Sequence, residues 1–179
     1  MSQAELVADL RHQLRVLGAR IEGGDESQLL VWVIPSQLAC CHRPLRFNQL
    51  YGGSLRNLDA TATPLVFDWA RRIRGYGIES ILCLMSEEEL ALYERLNLGE
   101  KNLLEFYRAQ GFQVASVPWK DPAHLRVNPT ALRDKQRQIS RAALSSFDAL
   151  QKPVVLHCSA GIDRSAPVAA YIYSQRCGS

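Results

Sequence analysis

Hydrophobic residues near the start of the chain recur at the spacing of one face of an amphipathic helix. These positions are Leu6, Val7, Leu10, Leu14 and Leu17. Ser2 and, three residues later, Glu5 form the pattern of a capping box, in which each side chain accepts a hydrogen bond from the other residue's backbone N–H. We therefore predict a helix that opens the chain and ends at Gly18, followed by a polar, glycine-rich linker over residues 21–27.

The rest of the chain alternates short apolar runs with longer segments of helical periodicity. The short runs are typical of buried strands and cover residues 29–34, 80–85, 112–117 and 153–157. Helical spacing covers residues 64–76, residues 86–111 with a break near Gly99, and residues 130–150. Ser86 and Glu89 form a second capping box. We predict that residues 40–43 lie on a loop.

This order of elements predicts the fold class. Strands that alternate with helices form a mostly parallel central sheet flanked by helices, and such sheets bind ligands at the carboxyl ends of their strands. A chain of 179 residues with 47% hydrophobic content has room for one such domain. We therefore expect a single α/β domain over residues 29–179, preceded by the helix and linker of residues 1–28.

Composition and charge narrow the class of protein. Lys and Arg exceed Asp and Glu by only 21 to 18, and no block of like charge suggests a nucleic-acid arm or a basic membrane patch. No apolar run approaches the roughly 18 residues that span a bilayer. Five cysteines without a CxxC pair, in a chain without a secretory leader, favour the reducing cytoplasm. Oligomeric state is left open.

The candidate chemistry follows the last predicted strand, where residues 157–165 read His-Cys-Ser-Ala-Gly-Ile-Asp-Arg-Ser. Six consecutive backbone N–H groups can curl around one phosphate, and Arg164 can close the ring with a bidentate fork. Oriented N–H groups and a helix N-terminus favour the thiolate form of Cys158. Gly161 allows the turn, Ser165 can donate to the sulfur, and His157 can hold the loop backbone. The pattern predicts a strand-loop-helix phosphate site with a nucleophilic thiol, in preference to a structural cysteine.

Hydrolysis of a phosphate ester also requires a proton donor for the leaving oxygen. Asp121 follows a predicted strand, which places it at the same edge of the sheet. The competing residues are Asp163, Asp134 and His124. We expect Asp163 to point outward, because a carboxylate that faced the loop would repel a phosphate dianion.

Residues 40–43 read Cys-Cys-His-Arg, which raises the question of a metal site. Neighbouring cysteines rarely reach the same zinc ion, and no second cluster in the sequence completes four ligands. Arg43 and Arg46 could border the phosphate pocket. We interpret them instead as a solvated pair on a loop.

The segment over residues 157–165 resembles the signature His-Cys-x-x-Gly-x-x-Arg-Ser/Thr of the cysteine-dependent protein tyrosine and dual-specificity phosphatases and matches each fixed position. The resemblance covers approximately residues 29–176 and is greatest to the compact dual-specificity branch, atypical or kinase-associated. It implies a phosphocysteine formed on Cys158, with Asp121 as acid and then base, Ser165 stabilising the thiolate, and neither metal nor cofactor. The implied phosphate ligands are Ser159, Ala160, Gly161, Ile162, Asp163 and Arg164.

The implied substrate is a phosphorylated protein that carries phosphotyrosine, with or without phosphoserine and phosphothreonine. One alternative is a phosphoinositide phosphatase, because some lipid-directed relatives share an aspartate before the arginine, although their loops usually carry lysine. The other alternative is a phosphate-binding module without turnover. Family members normally continue with further helices after the loop, so the resemblance implies a domain that is short at its C-terminus. Three explanations are open: the domain is naturally minimal, it is truncated, or, as we hypothesise, the N-terminal helix occupies the place of those helices.

Overall fold

The computed structural model describes residues 2–124 and 128–178, with the side chain of His124 outside the described part. The first helix, α1, covers Gln3–Glu22 and begins with the predicted capping box of Ser2 and Glu5. It continues past the predicted end at Gly18 because Ile21 extends the buried apolar face by one more turn. The linker is correspondingly shorter than predicted.

Five strands form one sheet in the order β1-β2-β5-β3-β4. Their bounds are Leu30–Ile34 for β1, Leu38–Cys41 for β2, Ser80–Cys83 for β3, Gln113–Ser116 for β4 and Val154–His157 for β5. The pair β1 and β2 is antiparallel, and the pairs β2–β5, β5–β3 and β3–β4 are parallel. The predicted fold class, an α/β domain with a mostly parallel sheet, is confirmed.

Strand β2 corrects the prediction of a loop over residues 40–43. Cys40 and Cys41 are both fully buried in this strand, which lies between β1 and β5. The strand has only four residues, all of them buried, so it shows no alternation of polar and apolar positions. Its carboxyl end brings His42 to the same edge of the sheet as the end of β5.

Helices cover both faces of the sheet. After α1 they are α2 at Thr63–Gly75, α3 at Glu87–Leu90, α4 at Leu103–Ala109, α5 at Pro129–Ala149 and α6 at Ser165–Arg176. Helix α6 packs against α1, α5, β1, β2 and β5 on one face. On the other face, Trp69 of α2 and Tyr107 of α4 pack around His157. In the part of the chain that the structure describes, no helix is both long and apolar enough to cross a membrane.

Candidate active site

Three parallel strands end together at the edge of the sheet that carries the site. Cys41 of β2 and Cys83 of β3 each pair with His157 of β5. The residues that follow these positions, including His42 and Cys158, therefore lie side by side. The segment between β5 and α6, residues 158–164, is called the phosphate loop below.

The first five carbonyl groups of the phosphate loop each accept a hydrogen bond from a donor outside the circle of the loop. From Cys158 to Ile162, the donors are His157 Nδ1 at 3.0 Å, Arg43 N at 3.0 Å, His42 Nδ1 at 2.9 Å, Ala166 N at 3.0 Å and Arg11 Nε at 3.2 Å. A carbonyl oxygen only accepts, so Nδ1 of both histidines carries the proton. These donors come from α1, the end of β2, β5 and α6.

This arrangement aims the loop's N–H groups inward. In a planar trans peptide the C=O and the following N–H point in opposite directions, so carbonyls held outside turn the amides toward the centre. The amide of Gly161 donates to Cys158 Sγ at 3.2 Å. Gly161 has φ +75°, and a Cβ there would lie 3.2 Å from the carbonyl oxygen of Cys41 and 3.3 Å from the side chain of Leu14. Glycine therefore meets a conformational and a steric requirement.

Arg164 is fully buried. Some of its N–H groups donate to the protein, and the others can donate to a ligand. Nη1 and Nη2 form a bidentate pair with the Glu89 carboxylate, both at 2.6 Å, and Nη1 also donates to the Trp119 carbonyl at 2.8 Å. Of the five guanidinium N–H groups, Nε–H and one Nη2–H form no hydrogen bond with the described residues, although Asp121 Oδ2 lies 3.5 Å from Nη2. Nε is buried and has no partner among the described residues. This free edge suits two oxygens of one phosphate.

Glu89 is a functional residue that sequence reasoning used only as a helix cap. Its carboxylate accepts from Ser86 N at 2.9 Å at the start of α3 and binds Arg164 at the same time. Burial acts to raise the pKa of Glu89, but the hydrogen bonds and charge of Arg164 and the hydrogen bonds from Ser86 together outweigh it, and that pKa lies below its ordinary value. The signal was a capping box directly after a strand end that faces the site.

Asp121 lies beside the guanidinium of Arg164. Its Oδ2 is 3.5 Å from Arg164 Nη2, and its Oδ1 accepts from Ala123 N at 3.0 Å. The side chain is 24% exposed, so a proton can be exchanged with solvent. Among its competitors, Asp163 is exposed, Asp134 is exposed on α5 near Arg137, and the side chain of His124 lies outside the described part of the structure.

Ser159 and Ser165 lie at the two ends of the phosphate loop, Ser159 directly after Cys158 and Ser165 directly after Arg164. Ser165 is the first residue of α6 and is buried, and its Oγ has no hydrogen-bond partner among the residues described. The Oγ of Ser159 accepts from Arg43 Nε at 3.2 Å. Ser165 is therefore available to an anion or a thiolate, whereas the Ser159 side chain is tied to the protein.

His42 and Arg43 are the functional residues that sequence reasoning missed. Arg43 is 1% exposed, so its interpretation as a solvated loop residue was wrong. Arg46 is half-buried, with its guanidinium 4.6 Å from the Phe47 ring centre, and burial lowers the pKa of Arg46. Both His42 and His157 are buried, and burial lowers the pKa of each to about 4. These imidazoles are neutral at pH 7 and serve as hydrogen-bond donors.

A cavity of about 190 Å³ opens beside Asp121 and the phosphate loop. Its lining consists of Ser54, Leu55, Ser86, Glu88, Glu89, Lys120, Asp121 and Ser159. Among the described residues, no group of three or more His, Cys, Asp or Glu side chains is arranged to hold a metal ion. Cys83 is buried near the site, and this burial raises its pKa to about 12.

Comparison with known proteins gives a structural likeness at low sequence identity. No protein-family model matches the chain, and no curated protein matches it. Among solved structures, it is similar to a crystal structure of a mutant form of Tk-PTP, a protein tyrosine phosphatase, at 16% sequence identity and a TM-score of 0.42. The match covers 84% of this chain and 74% of that chain.

Proposed function

We propose that this protein is a cysteine-dependent phosphatase that hydrolyses phosphotyrosine in proteins, together with phosphoserine and phosphothreonine, through a phosphocysteine intermediate. The observation that carries the proposal is the set of five outward-held carbonyl groups from Cys158 to Ile162. It supports a ring of inward N–H groups around a thiol. Such a ring binds an anion, and phosphate is an anion with enough oxygens to use it.

In the first step, the thiolate of Cys158 attacks phosphorus while the bond to the leaving oxygen breaks. The loop amides and the free edge of Arg164 bind the three equatorial oxygens, whose charge is spread out in the transition state. Asp121 gives its proton to the leaving oxygen. The position of its carboxylate at 3.5 Å from Arg164 Nη2 supports this assignment, because the acid must lie next to the bound phosphate.

In the second step, water attacks the phosphocysteine and the phosphorus–sulfur bond breaks. Asp121, now a carboxylate, accepts a proton from the water. Ser165 donates a hydrogen bond to the departing thiolate, a role supported by its buried Oγ, which has no partner among the described residues. Inorganic phosphate leaves, and the enzyme returns to its starting form.

The cavity beside Asp121 supports an aromatic phosphate ester as substrate. Its volume of about 190 Å³ is larger than the ~150 Å³ of a cavity that accommodates benzene. Leu55 supplies an apolar wall, and Glu88 with Lys120 forms an ion pair at 2.9 Å on the rim. A phosphotyrosine ring therefore has room here, while the polar rim is suited to peptide backbone.

The direct test is hydrolysis of para-nitrophenyl phosphate in the presence of EDTA. We expect turnover by the wild type, none measurable with Cys158→Ser, and slower turnover with Asp121→Asn. Phosphotyrosine, phosphoserine and phosphothreonine peptides and phosphoinositides then define the substrate class. Turnover restricted to phosphoinositides would overturn the protein substrate, and a folded wild type that binds phosphate without turnover would be a binding module.

A further inference from the structure

Arg43 is a buried cation without a carboxylate partner. It is 1% exposed, and among the residues that the structure describes no Asp or Glu oxygen lies within 4.0 Å of its nitrogens. Its side-chain bonds go to neutral oxygens. Nε donates to Ser159 Oγ at 3.2 Å, Nη1 to Tyr93 OH at 3.0 Å, and Nη2 to the Gly53 carbonyl at 2.7 Å.

Arg164, the second buried arginine of the site, does have a carboxylate partner. Its guanidinium is bound at two points by the Glu89 carboxylate, so this pair is neutral as a unit. Burial of a charge is costly unless an opposite charge offsets it, and neutral hydrogen bonds offset only part of that cost. Arg43 therefore lacks a source of negative charge that Arg164 possesses.

The contacts of Arg43 place that missing negative charge inside the phosphate loop. Both the backbone N–H and the side-chain Nε of Arg43 bind Ser159, the residue that follows the nucleophile. The remaining carboxylate of the site, Asp121, has to carry a proton in the first step. In that state, an anion bound in the loop, which Arg43 contacts through Ser159, can balance the charge of Arg43.

We propose that Arg43 is the second fixed cation of the phosphate site, with a charge balanced by the Cys158 thiolate and by the phosphate bound in the loop. It is a positioning residue, since it acts through Ser159 and its field and does not touch the substrate. The inference rests on the proposed phosphatase function and adds an electrostatic source behind the loop. A guanidinium in a water-excluded site acts on a nearby anion more strongly than it would in water.

A purely structural role predicts something different. Arg43 also links Ser159 to Gly53 and Tyr93, and it could serve only as a tether of this loop. Arg43→Lys keeps the charge but cannot reproduce the three-way hydrogen bonding of a guanidinium. Tyr93→Phe removes one bond of the tether and leaves the charge in place. The two variants therefore separate charge from tether.

The experiment compares alkylation of Cys158 by iodoacetate and by iodoacetamide, followed by mass spectrometry of the Cys158 peptide. Both reagents form the same kind of thioether and release iodide, but only iodoacetate is an anion. All proteins carry Cys177→Ser, because Cys177 is exposed while Cys40, Cys41 and Cys83 are buried. The ratio of the two rates reports the positive field at the thiol, and the Kd of inorganic phosphate is measured in parallel.

We expect the wild type to favour iodoacetate and Arg43→Met to lower the rate ratio about tenfold, with a similar loss of phosphate affinity. Arg43→Lys and Tyr93→Phe should keep the ratio within about threefold of the wild type. Arg71→Met is the matched control, because Arg71 is exposed on α2, and it should leave both quantities unchanged.

Two results would overturn the inference. One is an Arg43→Met protein whose ratio of iodoacetate to iodoacetamide rates and whose phosphate Kd equal those of the wild type. The other, decisive even if Arg43→Met does not fold, is a ratio in Arg43→Lys that falls by tenfold or more. A wild type with no preference for iodoacetate and no phosphate binding would reject the anion site itself, and the proposed function with it.

Discussion

The phosphate loop and the segment that carries Asp121 face the same ligand but are held in opposite ways. The loop lies in the core, and its carbonyls are bound by groups from α1, the end of β2, β5 and α6. The segment that carries Asp121, residues 119–123, is called the acid segment below and lies nearer the surface. Asp121 is 24% exposed and accepts a hydrogen bond from its own turn. The contrast teaches that substrate binding depends on the whole core, while proton transfer depends on a local turn.

Arg164 joins these two regions. It binds the Trp119 carbonyl of the acid segment and stands at the end of the phosphate loop, with Glu89 holding its guanidinium in place. A change in the loop or in Arg164 should therefore reduce both stability and binding. A change at Asp121 should reduce the rate alone.

Arg164→Met should have the largest effect. We expect kcat/KM for para-nitrophenyl phosphate to fall by at least about 10³-fold, because the equatorial oxygens lose their bidentate partner. The free energy of unfolding should fall by about 3–5 kcal/mol, because Glu89 is left buried and unpaired.

The double variant Arg164→Met with Glu89→Gln separates these two losses. It should recover a large part of the stability in urea denaturation, while activity stays low. Full stability in the single variant would contradict the role of the Glu89 pair in the core.

Asp121→Asn should have the next largest effect. We expect kcat to fall by about 10²–10³-fold, since no proton is available to the leaving oxygen. The Kd of phosphate and the melting temperature should change little, because asparagine can still accept the hydrogen bond from Ala123 N, and the contact of Asp121 with Arg164 Nη2 is long at 3.5 Å. Asp134→Asn is the control and should have wild-type kinetics. A large loss of phosphate affinity in Asp121→Asn would contradict the separation of phosphate binding from proton transfer.

His42 and His157, the two buried histidines that donate to the phosphate loop, should cause a loss of stability at mildly acidic pH. Burial lowers the pKa of His42 and His157 to about 4, below the ordinary 6.5. The unfolded chain therefore binds more protons between these values, so stability is complete above pH 6.5 and falls as the pH drops toward 4. Each histidine contributes about 3 kcal/mol to this loss.

Chemical denaturation across this pH range measures the histidine effect. His157→Gln and His42→Gln should each flatten the pH dependence, while His12→Gln on the exposed side of α1 should match the wild type. An unchanged slope in both buried variants would show that these imidazoles are not held neutral by the fold.

Gly161→Ala should lower the free energy of unfolding by about 1–3 kcal/mol, which is less than the loss expected for Arg164→Met. The strain of a positive φ accounts for about 1 kcal/mol, and contact with Cys41 and Leu14 accounts for the rest. Gly77→Ala is the matched control, because Gly77 has φ +79° with no atom within 4 Å of an added Cβ. Thermal melts should show the larger loss at Gly161, and only that variant should bind phosphate more weakly. Equal losses would remove the steric argument.

Sequence periodicity predicted much of this fold. The capping boxes at Ser2 and Ser86 and the apolar runs of β1, β3, β4 and β5 are visible locally. Strands β3 and β5 are as short and as buried as β2, but they contain the β-branched residues that are typical of strands. Strand β2 was missed because its sequence, Leu-Ala-Cys-Cys, contains no β-branched or aromatic residue. The loss of β2 from the prediction also hid the position of Arg43 at its end.

The candidate site was only partly visible in the sequence. Residues 157–165 and Asp121 are recognisable because phosphate chemistry needs those residue types near strand ends. Arg43 and Arg11 support the loop through contacts that span 116 and 151 positions of the chain. No local pattern carries such contacts. Glu89 was visible as a helix cap, but its second bond to Arg164 depends on the tertiary fold.

The most direct test of the account is to trap the phosphoenzyme. Wild-type protein is mixed with labelled phosphotyrosine peptide, quenched in acid within one turnover and digested for mass spectrometry. We predict phosphate on the sulfur of Cys158 and no label in Cys158→Ser. Turnover with no label on Cys158, or with the label on another residue, would contradict the claim that the phosphate loop presents Cys158 as the nucleophile.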